Sequence, residues 1–152
     1  MGTNDRMIDL SARVLLVEDD PAHAFIAVTV IRQVLGDGCE VVVAETADEA
    51  MGVIRHFTEQ DRPDLMLVDL RLPDHGGFAV LSAARAHEPS SQIPLFVVTS
   101  SMYDRDIAQS YELGASVVTS KPLSRAKLKE ELARIGALPQ TPAGLIQRAL
   151  NH

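Results

Sequence analysis

Five short apolar runs, separated by amphipathic stretches of helical length, constrain this chain more than any other feature. The runs are residues 13–17 (RVLLV), 40–44 (EVVVA), 65–68 (LMLV), 95–98 (LFVV) and 116–119 (SVVT). Each is four or five residues long, rich in Val and Leu, and apolar on consecutive positions, the pattern of strands covered on both faces. Helix-compatible stretches lie between and after them, over residues 22–35, 47–57, 77–86, 104–113 and 124–135. Strand followed by helix, five times over, leaves no strand pair close enough for a tight hairpin. It predicts an α/β fold, a doubly wound parallel sheet built from right-handed crossovers. A chain of 152 residues accommodates one such unit.

Local chemistry sets the boundaries. Asp20-Pro21 offers an N-cap followed by proline at the first helical position. Thr46-Ala47-Asp48-Glu49 has the form of a capping box for the second helix. Gly36-Asp37-Gly38 stops the first helix and Gly114 the fourth. Three segments are expected: a tail over 1–12, a globular body over 13–136, and an arm over 137–152. The arm follows Gly136, carries Pro139, Pro142 and Gly144, and then Leu145, Ile146, Ala149 and Leu150, apolar residues too few to form a core alone. They are expected to pack on a second copy, giving a homodimer, with the surface over 104–135 as the alternative dimer face. No output domain fits in the arm.

Composition removes several functions. Fourteen basic against 21 acidic side chains, a net charge of −7, argue against a nucleic-acid partner. A lone Cys39, placed at a strand entrance, excludes an internal disulfide and a multi-thiolate metal site. The five histidines show no metal-ligand spacing, and His23 and His56 read as surface or satisfied positions on helices. No apolar run approaches the roughly 20 residues of a membrane helix, and the first 12 residues lack a signal-peptide core, so no membrane partner and a cytoplasmic setting are expected.

Ligands of open α/β sheets bind beyond the carboxyl ends of the strands. There the first run leads into Glu18-Asp19-Asp20, the third into Asp69, the fourth into Thr99-Ser100-Ser101 and the fifth into Ser120-Lys121-Pro122. Glu18, Asp19 and Asp69 brought together repel one another, and a hard divalent cation such as Mg²⁺ relieves that repulsion. A carboxylate so screened can attack phosphorus. A lysine and a hydroxyl beside it would pair with phosphoryl oxygens, which turns a bare metal site into one suited to phosphoryl transfer. Asp20 reads as a helix cap rather than a ligand, and Asp74 and His75 as residues of a solvated turn.

The stretches Leu15-Leu16-Val17-Glu18-Asp19-Asp20-Pro21, Leu65 to Pro73 with Gly76-Gly77, Val98-Thr99-Ser100 and Lys121-Pro122 resemble the receiver domain of two-component response regulators. The resemblance covers roughly residues 12 to 136. The run Asp106 to Ala115 further resembles single-domain regulators that partner phytochrome-type histidine kinases. What the resemblance implies is specific. The fold is a flavodoxin-like five-stranded sheet in the order 2-1-3-4-5. Asp69 is the phosphoacceptor. Asp19 ligates Mg²⁺ directly, Glu18 holds it through water, and the Arg71 carbonyl adds a backbone ligand. Thr99 and Lys121 contact the phosphoryl group, and the Lys121-Pro122 peptide is cis. Arg71 and Ser101 stand where the family tunes hydrolysis of the phosphate. The partner is a sensor histidine kinase. Many receivers carry an aromatic residue three positions before the lysine, whose rotamer accompanies phosphorylation; here that residue is Val118. Enzymes of the haloacid-dehalogenase type also attack with an aspartate but place a second Asp two residues on, where this chain has Arg71. The expected function is a stand-alone phosphorylatable switch rather than a turnover enzyme. A receiver-like module that binds partners without phosphorylation is the alternative.

Overall fold

The computed structural model describes residues 12–74, 76–100 and 102–135. His75, Ser101, the segment before Ala12 and the proposed dimer arm lie outside the described residues. Five strands and five α-helices alternate: β1 Arg13–Val17, α1 Pro21–Leu35, β2 Glu40–Ala44, α2 Ala47–Arg55, β3 Leu65–Val68, α3 Gly77–Ala86, β4 Leu95–Thr99, α4 Asp104–Glu112, β5 Val117–Ser120 and α5 Arg125–Ile135. A 3₁₀ turn, Glu88–Ser90, follows α3. All strand pairs are parallel and the sheet order is β2-β1-β3-β4-β5. This is the order 2-1-3-4-5 that the sequence resemblance implies. The fifth strand runs one residue later than the apolar run predicts, because Phe96 of β4 pairs with Val117.

Alternation along the strands divides the core between two faces. Val14, Leu16, Leu65, Leu67, Phe96 and Val98 point toward one layer, where Ile31 and Val34 of α1 meet Leu128 and Leu132 of α5. Leu15, Val17, Met66, Val68, Leu95 and Val97 point to the other, against Ala50 and Ile54 of α2 and Val80, Leu81 and Ala84 of α3. Fully burying one such aliphatic or aromatic side chain stabilises the fold by about 1.5–3 kcal/mol. Covering on both faces holds for the inner strands only. β3 and β4 are buried throughout, whereas Glu40 and Val42 of edge strand β2 and Ser120 of β5 are exposed. The apolar run alone does not distinguish a central strand from an edge one.

Helix starts follow the local chemistry, with two additions. Asp20 accepts from the backbone N–H groups of Ala22 and His23, and Pro21 opens α1. Thr46 accepts from Glu49 N, but the Glu49 carboxylate reaches back to Glu45 N rather than closing the box on Thr46. The donors of Ala47 and Asp48 are instead satisfied by Asp74, which is not a free turn residue: its two oxygens accept from them at 3.0 Å each. Glycine is required where α3 begins, since a Cβ on Gly77 would lie 2.4 Å from the Asp69 carbonyl oxygen and 2.7 Å from Leu70 Cα. That close approach seats α3 directly behind the end of β3.

Candidate functional site

The chain runs from β1 outward to β2 and then crosses back to β3, so the strand order reverses between β1 and β3. The crevice beyond the carboxyl ends of these two strands is where the fold leaves room for a ligand. Backbone hydrogen bonds carry the ladder one residue past the strands and hold the first polar residues in place. Glu18 N donates to Ala44 O, Asp69 N to Val17 O, and Lys121 N to Thr99 O. The side chains of Glu18, Asp69 and Lys121 therefore issue from fixed backbone.

Carboxylate oxygens of Glu18, Asp19 and Asp69 lie within 4.8 Å of one another. Glu18 and Asp69 are buried and Asp19 is exposed. The Lys121 ammonium donates to Glu18 Oε1 at 2.6 Å and to Asp69 Oδ2 at 2.8 Å. The remaining oxygens are also occupied: Glu18 Oε2 accepts from Asp20 N, and Asp69 Oδ1 from Arg71 N. Burial pushes the Glu18 carboxyl above its ordinary range; the Lys121 and Asp20 hydrogen bonds oppose that rise, and the Asp69 charge adds to it. Burial by itself would lower the Lys121 ammonium, but its hydrogen bonds to Asp69 and Glu18 outweigh it and hold the group above the usual lysine value.

Three carboxylates against one ammonium leave a net of two negative charges, in a set of hard oxygen donors. That donor set fits a divalent cation of the Mg²⁺ kind. The cleft over it has a volume of about 360 Å³ and is bounded by Glu18, His23, Ile26, Asp69, Ser100 and Lys121, among others. A larger cleft, about 460 Å³, opens at the opposite end of the sheet between β1, β2 and the end of α2. Its wall is mainly apolar, with Arg13 paired to Glu40 at the rim, and the acid cluster is not part of it.

Of the residues singled out in the sequence, Glu18, Asp19, Asp69 and Lys121 come together. Thr99 is the last residue of β4 and is fully buried, with its neighbours Val98 and Ser100 forming the cleft wall. The Arg71 side chain is exposed, and its backbone N–H is what touches Asp69. The Lys121-Pro122 peptide is cis. His23, read as a surface or satisfied position, joins the site: its Nδ1 lies 2.9 Å from Lys121 Nζ. No helical spacing ties His23 to Asp19, because Asp19 precedes the extended Asp20 cap and lies outside α1.

Residues 14–133 match the family model of the response regulator receiver domain. The chain belongs to this family. Among curated relatives it is 33% identical over 131 residues to the DNA-binding response regulator MtrA of Mycolicibacterium smegmatis, an alignment covering 86% of this chain and 52% of MtrA. The chain thus spans about half the length of the curated relatives it matches. Among solved structures it is similar to the phosphorylated cyanobacterial phytochrome response regulator RcpA, with a TM-score of 0.66, 28% identity, and 86% and 98% of the two chains covered. It is also similar to the receiver domain of the sensor histidine kinase PA1611 of Pseudomonas aeruginosa, whose structure holds a magnesium ion in the active-site cleft. There the TM-score is 0.67 and the identity 25%, over 93% and 99% of the chains. As a receiver, the chain is part of two-component signalling. Among the described residues no helix is long and apolar enough to cross a membrane.

Proposed function

We propose that this receiver is a phosphorylatable switch in which Asp69 takes a phosphoryl group from the phosphohistidine of a sensor kinase. The observation that carries the reading is the Lys121 ammonium seated between Glu18 and Asp69 beside a third carboxylate, Asp19. In the step, an Asp69 carboxylate oxygen attacks phosphorus in line with the P–N bond. A P–O bond forms, the P–N bond breaks, and the imidazole leaves with the electron pair and takes up a proton. Lys121 donates to a phosphoryl oxygen and the Thr99 hydroxyl to another, so charge on the transferring group meets fixed donors. Glu18, Asp19, Asp69 and the Arg71 carbonyl would hold Mg²⁺, which screens the carboxylates and neutralises charge on the phosphoryl oxygens. The product is stoichiometric, so the protein is a switch and not a turnover enzyme on external substrates.

The kinase is of the phytochrome type, a reading supported by the likeness to RcpA. Ile26 of α1, 40% exposed, bounds the cleft and offers the donor an apolar landing surface. Output runs through protein contacts in the cytoplasm and not through DNA, as the net charge of −7 favours. The protein works as a homodimer, and light scattering of the chain with and without residues 137–152 distinguishes the two candidate dimer faces, the arm (a monomer on its removal) and the surface over 104–135 (an unchanged dimer). The test of the central step is intact mass after incubation with phosphoramidate. A single phosphoryl adduct that needs Mg²⁺ and is absent in Asp69→Asn is the expected result. No adduct on the folded protein would instead support a module that binds partners without phosphorylation.

A further inference from the structure

Lys121 has three N–H donors, and the third leads outside the acid cluster. It meets His23 Nδ1 at 2.9 Å, after Glu18 Oε1 at 2.6 Å and Asp69 Oδ2 at 2.8 Å. The ammonium can only donate, so the contact is a hydrogen bond in the ring tautomer whose Nδ1 carries no proton. Asp20 Oδ2 stands 3.9 Å from the same nitrogen, beyond hydrogen-bond reach, while Asp20 Oδ1 is engaged in capping α1. His23 sits on the first turn of α1 and forms part of the wall of the cleft.

The three acceptors differ in what the reaction does to them. The function proposed for the site commits Glu18 to a cation and Asp69 to the phosphoryl group. His23 is the one acceptor of the three that belongs to neither. We propose that His23 is a positioning residue for phosphoryl transfer, an uncharged acceptor that keeps the Lys121 ammonium at the cleft once the carboxylates are engaged elsewhere. The inference rests on the reading of Asp69 as the phosphoacceptor. The chemistry of the side chain suits the task. An apolar residue at this position would leave the ammonium free to swing into solvent. A carboxylate would compete with the phosphoryl oxygens, because charge-assisted hydrogen bonds are roughly twice as strong as neutral ones. A neutral imidazole holds the ammonium without retaining it against the phosphoryl group.

The test is the rate of adduct formation, followed by intact mass over a series of phosphoramidate concentrations at saturating Mg²⁺. Wild type is compared with His23→Asn, whose side-chain oxygen stands where Nδ1 does, and with His23→Leu, which keeps bulk without an acceptor. The maximal rate is expected to fall roughly ten- to a hundredfold in His23→Leu and to stay within about twofold of wild type in His23→Asn, as the loss and the retention of one hydrogen bond to a charged group require. A His23→Leu protein as fast as wild type, or a His23→Asn protein as slow as His23→Leu, overturns the proposal. A wild-type protein that forms no adduct overturns the reading of Asp69 and this inference with it. An adduct in wild type with indifferent variants overturns the inference alone.

Discussion

Lys121 and Cys39 illustrate opposite outcomes of burying an ionisable side chain. Around Lys121 burial is offset by two carboxylates, Asp69 and Glu18, so the ammonium is held above its ordinary range. Around Cys39 burial dominates and pushes the thiol up to about 11. A thiol raised in the folded state contributes stability that is complete below the unfolded value, about 8.5, and is lost as pH rises through the folded one. Alkylation by iodoacetamide at pH 8.5 should therefore be slow in the native protein, quicken as the pH approaches 11, and be fast in urea. Equal rates in buffer and urea at pH 8.5 would contradict the burial of this thiol. Glu18, Asp19, Asp69 and Lys121 were legible in the sequence because each stands where an apolar run stops, which in a parallel sheet is a position in space as well as along the chain. His23 was not read as part of the site, because which side of α1 faces the cleft depends on how the helix packs and not on the identity of residue 23.

At the scale of elements, the loop after β3 is held from two sides. Gly77 brings α3 against the Asp69 and Leu70 backbone, and Asp74 caps α2 from across the sheet edge. The segment that follows Asp69 is thus fixed by its neighbours on both flanks. Replacing Asp74 by Ala removes an N-cap carboxylate from Ala47 and Asp48 and should destabilise the fold by about 1–2 kcal/mol. The measurement is urea unfolding, with a lower midpoint and an unchanged m value expected. An unchanged midpoint would mean that Thr46 alone suffices to cap α2. This contact could not be read from sequence, since its partners are 26 and 27 residues apart and a turn rich in Asp and Gly reads as solvated in isolation. The edge strands carry the same lesson. EVVVA has the same apolar pattern as the inner strands, yet Val42 is 44% exposed, because sheet order and not local pattern decides what covers a strand. At α4, the Tyr111 hydroxyl accepts from Val118 N, so the position that carries an aromatic side chain in many receivers is here joined to α4 by a phenol from the other side.

The whole molecule places two apolar layers around a five-stranded sheet and gathers its acids where the strand order reverses. The layers fix the sheet, the sheet fixes the strand ends, and the strand ends bring like charges together around one ammonium. Such a net negative site attracts a divalent cation, and in the proposed function that cation and Lys121 together meet the charge of the phosphoryl group. The central claim is that the mark is an acyl phosphate on Asp69. Borohydride reduction of the phosphoramidate-treated protein, followed by peptide mapping, tests it most directly, because an acyl phosphate on aspartate is reduced to homoserine and a phosphohistidine is not. Homoserine at position 69 in the presence of Mg²⁺, and nowhere else, is the predicted result. An unreduced Asp69 in a protein carrying a phosphoryl group elsewhere, on His23 for example, would contradict the account.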